Sequence, residues 1–404
     1  MNEPKELPDD WSLTTLQEVT DPDAPIRYGV VQIGPNTPGG VPIVPIKHIN
    51  RIANASLHRA APEIEKKYTG SRIQGGDVLI SVKGTIGNVG VVPDGFEGNI
   101  AREIARIRPN DKIDRHYLAF QLQAPDTQRS VKASTVGSTR LEFSIATARA
   151  FQIPLPPLPE QKKIAEILST WDEAIETTAK LLANAEAQKK ALMQQLLTGN
   201  WRLKGFEGEW AMSKLGDRIT IRRGASPRPI TDARWFSDQG RGWVRISDVT
   251  SSETERLTRT EQYLSKEGAA RSVSVEPGEL IMSICATIGV PKIVGIPVCI
   301  HDGFVVFRNL SDRIDTLFLY YFLQLIAPRL ASGGQPGTQK NLNTSIVGNI
   351  LVPKIEMKEQ KAIAKILQFS DWDLHCRKKQ LAKLKEEKRA LMQQLLTGKR
   401  RVAF

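Results

Sequence analysis

The chain has 404 residues, 40% apolar and 25% charged, which is ordinary for soluble protein and long enough for two or more domains with real cores. Its polar, acidic start, MNEPKELPDD, is unlike a secretory leader, and no run of ~18 apolar residues occurs, so neither export nor membrane spanning is expected. The 56 Lys+Arg against 44 Asp+Glu give a net charge of +12, which favours a polyanionic partner such as nucleic acid. Cys285, Cys299 and Cys376 match no zinc spacing, and their odd number argues against a disulfide framework; a reducing cytoplasm fits them best.

Strand-sized apolar segments come first: VPIVPIKHI (41–49), DVLISVKGTIGNVGVV (77–92) and IARIRP (104–109). A helical stretch, DRHYLAFQLQA (114–124), and a Ser/Thr/Gly loop, VGSTR (136–140), follow. The prolines at 154, 156, 157 and 159 then mark the entry of a long helix, and Gly199 stands where a C′ glycine would end it. Ile164, Leu168, Ile175, Leu182, Leu192 and Leu196 recur along it in steps that sum from threes and fours, a coiled-coil seam whose weak members are Thr178, Ala185 and Lys189. From Glu160 to Thr198 the rod measures ~58 Å at 1.5 Å per residue. The order then repeats: strands in GWVRISDV (242–249), GELIMSICATIG (278–289) and GFVVFRNL (303–310), a helix in DTLFLYYFLQLIA (315–327), a loop in PGTQK (336–340), and a second seam of Ile363, Leu367, Leu374, Leu381, Leu391 and Leu395.

The repeat is an internal duplication. ALMQQLLTG stands at 191–199 and again at 390–398, an offset of 390 − 191 = 199, and 22 of 43 positions agree between 160–202 and 359–401 without a gap. The modules agree more faintly, with GDVLISVKGTIG against GELIMSICATIG and Trp11 against Trp210. The layout is therefore a globular module over 1–153, a helix over 154–205, a second module over 206–352 and a second helix over 353–404. Each module is expected to be α/β with a curved sheet. The second module begins beside the end of helix one and ends beside the start of helix two, so the helices should run antiparallel as a pseudo-two-fold pair. Gln161, Gln194, Gln195 and Thr198 recur at Gln360, Gln393, Gln394 and Thr397. Taken as exposed, they suggest one partner protein bound twice.

Basic and short polar residues gather between the strands. Lys47, His48, Lys83, Arg102, Ser138, Thr139 and Arg140 in the first module are the candidate DNA contacts; Arg223, Arg245, His301, Thr338, Gln339, Lys340 and Asn341 are those in the second. Arginine and lysine suit both phosphate contact and bidentate reading of guanine. No phosphate-binding GxxxxGK[ST], HExxH or GxSxG pattern occurs, and KGTIGNVG reads as a hairpin rather than a phosphate cradle. No catalytic residue and no metal site is expected.

PLPPLPEQKKIAEIL…ALMQQLLTG and its second copy, each after a module of ~150 residues, carry a resemblance covering essentially the whole chain. The chain resembles the specificity (S) subunits of type I restriction–modification enzymes. That resemblance implies two target recognition domains, each reading half of a split double-stranded DNA site, and an antiparallel helix pair acting as a ruler between them. It implies no catalysis in this chain. It also implies two methyltransferase subunits bringing S-adenosylmethionine, and restriction subunits bringing ATP- and Mg-dependent translocation and cleavage. The two modules differ in sequence, so the half-sites should differ. One departure is VPKIEMK before helix two in place of IPLPPLP, which leaves that helix entry less rigidly defined. A protein-binding scaffold with paired modules is the alternative; steep salt dependence on one specific duplex separates the two.

Overall fold

The computed structural model describes residues 7–135, 141–310, 312–332 and 342–403. The chain divides into two compact units, Met1–Ala179 with Gln380–Phe404, and Lys180–Lys379.

In the first unit, strands order Arg27–Tyr28, Ile104–Ile107, Val78–Ser81, Val89–Val91 in one antiparallel sheet, and His58–Ala60, Val41–Val44, Glu97–Ile100, Ile73–Gln74 in a second. Val41–Val44 runs parallel to Glu97–Ile100. Each module therefore holds two larger sheets, where the sequence suggested one curved sheet, and a two-stranded pairing joins its ends, Ser12–Thr15 with Gln152–Leu155 in the first and Ala211–Lys214 with Leu351–Lys354 in the second. KGTIGNVG is the expected hairpin: Val78–Ile80 pairs antiparallel with Val89–Val91, and Ser81 Oγ closes the turn by donating to Thr85 O (2.5 Å) and accepting from Asn88 N (2.8 Å).

The second unit repeats this topology. Thr220–Arg223, Phe304–Arg308, Leu280–Ser283 and Pro291–Val294 follow the order of the first sheet, and Gln262–Leu264, Arg241–Val244, Val298–Ile300 and Val273–Val275 that of the second; Arg256–Leu257 and Phe236–Ser237 each add an edge strand. Ser283 closes its hairpin with the same pair of bonds, to Thr287 O and from Val290 N. The run GWVRISDV divides: Arg241–Val244 is strand and Ile246–Ser251 is helix, because Asp248 Oδ2 accepts from Arg245 N (2.7 Å) and turns the chain.

The long helices span Leu158–Leu196 and Met357–Leu395, 39 residues each. Gly199 and Gly398 follow at φ of 77° and 71°, the left-handed backbone that glycine takes without steric cost. Within the first unit Ile164 and Leu168, near the start of helix one, are buried in one core with Met392, Leu395 and Leu396, at the end of helix two. Within the second unit Leu196 and Leu197 share a core with Ile363, Ala364 and Leu367. In each unit a helix start thus packs on a helix end, as antiparallel pairing requires. Ile175, Leu182, Leu192, Leu374, Leu381 and Leu391 are half-buried along the same faces. Two lysines on the long helices, Lys189 and its counterpart Lys388, have partners of their own. Lys388 reaches Asp172 at 2.6 Å and lies 4.9 Å over the Phe120 ring; Lys189 pairs with Asp371 and lies 5.6 Å over Tyr321.

Two of the repeated polar residues are not surface. Gln161 and Gln360 are 1% exposed. Gln161 accepts from Asp114 N (2.8 Å) and donates to Lys112 O and Pro156 O; Gln360 accepts from Asp315 N (2.8 Å) and donates to Arg313 O and Ile355 O. Asp114 and Asp315 each cap the helix that follows, accepting from His116 N and Tyr117 N, and from Leu317 N and Phe318 N. Each glutamine therefore rivets a long helix to its module. The entry of helix two is as closely defined as that of helix one, in spite of its missing prolines. Gln194, Gln195, Gln393 and Gln394 are exposed, as expected.

Glu160 and Glu359, one residue earlier, are also buried. Arg401 forks onto Glu160 at 2.8 Å twice, and Trp11 Nε1 donates to the same carboxylate at 3.0 Å. Arg202 forks onto Glu359 at 2.8 and 3.0 Å. Replacing Arg202 with Met strands the buried Glu359 carboxylate, and urea unfolding is expected to show the second unit weakened by about 3 kcal/mol. Adding Glu359→Met should restore most of that loss; a single variant as stable as the parent contradicts the role given to the pair.

Candidate nucleic-acid interface

Backbone hydrogen bonds gather several of the candidate residues at one end of the sheets in each unit. In the first unit Val82 N and Lys83 N both donate to Glu103 O (2.7 and 3.3 Å), Arg102 N to Val30 O (3.0 Å) and Phe143 N to Val82 O (2.9 Å). Lys83, Arg102, the edge strand Arg27–Tyr28 and the segment after residue 140 therefore meet. Lys83 Nζ stands 5.3 Å from the Tyr28 ring centroid and 3.2 Å from Glu142; Arg102 is 3.2 Å from Glu103. The Ile46 side chain faces Gly84, which brings the turn carrying exposed Lys47 and half-buried His48 to the same end. His48 Nδ1 is buried without a protein partner.

The second unit builds the same frame with other side chains. Ile284 N donates to Gly303 O (2.8 Å), Leu342 N to Ile284 O (2.9 Å) and Ala225 N to Ile300 O (3.1 Å), the counterparts of bonds made by Val82, Phe143 and Val30. Gly29 and Gly224 allow the edge strand to approach: a Cβ there would stand 1.8 Å from Ile100 O and 2.1 Å from His301 O. Superimposing these bonds puts Cys285 where the first unit has Lys83, Asp302 where it has Arg102, and Arg223 where it has Tyr28. Arg223 Nε donates to Asp302 O (2.8 Å), and Ser226 Oγ to Asp302 Oδ1 (2.7 Å). Arg245 is exposed just beyond the strand Arg241–Val244.

His301 is held rigidly. Its ring lies 4.9 Å from Phe304 and 5.7 Å from Trp243, centroid to centroid, and Nδ1 accepts from Gly303 N (2.9 Å). In the neutral ring the proton is therefore on Nε2, which presents one fixed donor. Burial, and then the nearby Arg245 charge, lower its pKa against the opposing pull of Asp302. The Ser226 hydrogen bond lowers that of Asp302. Burial raises the Cys285 thiol, away from the thiolate a nucleophile needs.

Ser138, Thr139, Arg140, Thr338, Gln339, Lys340 and Asn341 lie outside the described residues. The segments just after them, at Glu142–Phe143 and Leu342, border the two clusters. Sequence reasoning missed Tyr28, Asp302 and the paired glycines, although RYG (27–29) and RRG (222–224) carry a visible signal for the last. Among the described residues no group of His, Cys, Asp and Glu could hold a metal ion, and no helix is long and apolar enough to cross a membrane.

Known proteins share this architecture. The model of the type I restriction modification DNA specificity domain matches residues 9–187 and again 207–386. A Methanocaldococcus jannaschii protein named as the specificity subunit of the type I restriction enzyme MjaX is 27% identical, over 98% of this chain and 95% of its own. The specificity subunit of the Escherichia coli type I enzyme EcoBI is 29% identical over 54% of this chain and 49% of its own. Among solved structures, the type I S subunit from M. genitalium superimposes with a TM-score of 0.61 at 16% identity, and the HsdS subunit from Thermoanaerobacter tengcongensis with 0.53 at 20%, each over 98% of both chains. The two family matches coincide with the two copies of one fold, and the chain belongs to the DNA specificity subunits of type I restriction–modification systems, whose part in the complex is recognition rather than catalysis.

Proposed function

We propose that this chain reads an asymmetric DNA site in two halves, one per module. In this reading the helix pair sets the gap and two methyltransferase subunits dock on the repeated helix surfaces. The observation that carries it is one backbone frame built twice with unlike side chains at the same places: Lys83, Arg102 and Tyr28 against Cys285, Asp302 and Arg223. A shared frame supports a shared way of meeting DNA, and unlike side chains support unlike half-sites. Lys47, Lys83, Arg102, Arg223 and Arg245 serve as phosphate and base donors, and His301 offers Nε2–H to an acceptor on a base edge. The exposed Gln194, Gln195, Gln393 and Gln394 form the docking surface; buried Gln161 and Gln360 take no part in it. S-adenosylmethionine, ATP and Mg belong to the partner subunits in this reading, and the complex works in the cytoplasm, where its DNA is.

Mapping methylated bases in cells with and without this chain tests the proposal directly. One split, asymmetric motif is expected to vanish with the chain; methylation that keeps its sequence without it rejects the reading. Lys83→Ala with Arg102→Ala should weaken binding about tenfold or relax the motif on one half only, and an equal effect on both halves rejects separate readers. Seven residues inserted at matching places in both helices lengthen each by ~10.5 Å, so the gap should widen by about three base pairs at ~3.4 Å each. A constant gap rules out the ruler.

His301 also makes a pH prediction. Its folded pKa lies below the ordinary value of about 6.5, so the unfolded chain takes up a proton first as pH falls. The stability it contributes is present above about pH 6.5 and declines as pH falls toward the lowered folded value. Melting curves between pH 8 and 5 should therefore fall less steeply for His301→Gln than for the parent; parallel curves would contradict this.

A further inference from the structure

A cavity of about 360 Å³ opens beside the edge strand Arg27–Tyr28 of the first unit. Arg27, Lys67 and Arg149 line it together with Tyr28 and Tyr68, and no carboxylate does. Other arginines of the unit are tied to acids: Arg72 to Glu65, Arg108 to Asp77 and Arg115 to Asp94. Among the described residues none of the three cavity cations has a carboxylate partner. Arg149 is held in place by donating Nη2 to Ile26 O (2.9 Å), which leaves most of its five N–H donors available. The seat of Arg27 depends on Gly70, where a Cβ would come within 2.6 Å of Arg27 Nη1.

Tyr28 joins this cavity to the reading cluster, since its ring also lies under Lys83. Among the described residues the second unit keeps one of the three cations, Arg222 at the place of Arg27, and lacks the other two. Its matching strands and helix caps put Ala269 and Ala270 where the first unit has Lys67 and Tyr68, and Gly348 where it has Arg149.

We propose that this cavity binds a phosphodiester of the DNA backbone flanking the half-site read by the first module, so that this module grips DNA beyond the bases it reads and the second does not. The proposal rests on the DNA-reading function above. Three cations, two of them held in place, and two tyrosines suit a phosphate and its sugar, and carry no base information.

The test uses the complete complex with its methyltransferase subunits, on a duplex containing its own site, titrated with salt. Arg27→Gln with Lys67→Gln changes two exposed side chains, and Arg149→Gln is a separate variant. The double variant should bind about tenfold more weakly, with the log–log salt slope shallower by about 2, and the same methylated motif. Single methylphosphonates placed along the flank should weaken the parent at one or two positions on the first module's side and leave the double variant unaffected there. An unchanged slope in folded variants, or an altered motif, overturns the phosphate assignment while leaving the function intact. Inorganic phosphate that raises the melting temperature of the parent but not of the variants, with an unchanged DNA slope, assigns the cavity to a free anion and also overturns it. A parent complex with no preferred duplex removes the function and this inference together.

Discussion

Two buried carboxylates organise the molecule. Glu160 and Glu359 stand in the first turn of the long helices, where a negative charge is favoured but burial is costly without a partner. Each is neutralised by an arginine that lies just past the end of the other helix, Arg401 and Arg202. A parallel pairing would carry those arginines to the wrong end. Charge neutralisation thus selects the antiparallel arrangement that the seam of leucines and isoleucines permits but does not by itself require. Lys388–Asp172 and Lys189–Asp371 add the same crossing farther along.

Identity between the two helices has two physical sources. Glu160, Gln161, Asp172, Lys189 and Arg202 recur at Glu359, Gln360, Asp371, Lys388 and Arg401 because each pair closes an internal joint. Gln194 and Gln195 recur at exposed positions, where packing within the chain places no demand on them. Only this second group is left unexplained by packing within the chain. The asymmetries have meaning for the same reason: Phe369 and Trp372, exposed on helix two, face solvent where helix one has Thr170 and Glu173.

The modules diverge in a different manner. Their hairpin serines, helix-capping aspartates and close-approach glycines are kept, because backbone donors and steric room leave few alternatives. Side chains standing on that backbone are under no such constraint. Lysine gives way to cysteine at 83 and 285, and arginine to aspartate at 102 and 302. A fold that holds its frame by main-chain bonds can change the side chains on its surface without changing its stability greatly.

Much of this was legible in the amino-acid order. The duplication, the two 39-residue helices and their glycine ends followed from periodicity and local backbone preference, which act over a few residues. The hairpin in KGTIGNVG followed from turn chemistry of the same range. Tertiary structure decided what depends on distance through space. It split each module into two larger sheets and a two-stranded pairing of its ends, since strand pairing joins residues far apart in the chain. It buried Gln161 and Gln360, which sequence alone treats as surface, because only a folded neighbour supplies the Asp114 and Asp315 backbone donors. It also gathered Tyr28, Lys83 and Arg102 at one end of the first unit, and Arg223, His301 and Asp302 at the matching end of the second. No spacing in the sequence announces these clusters, because main-chain bonds between distant segments assemble them.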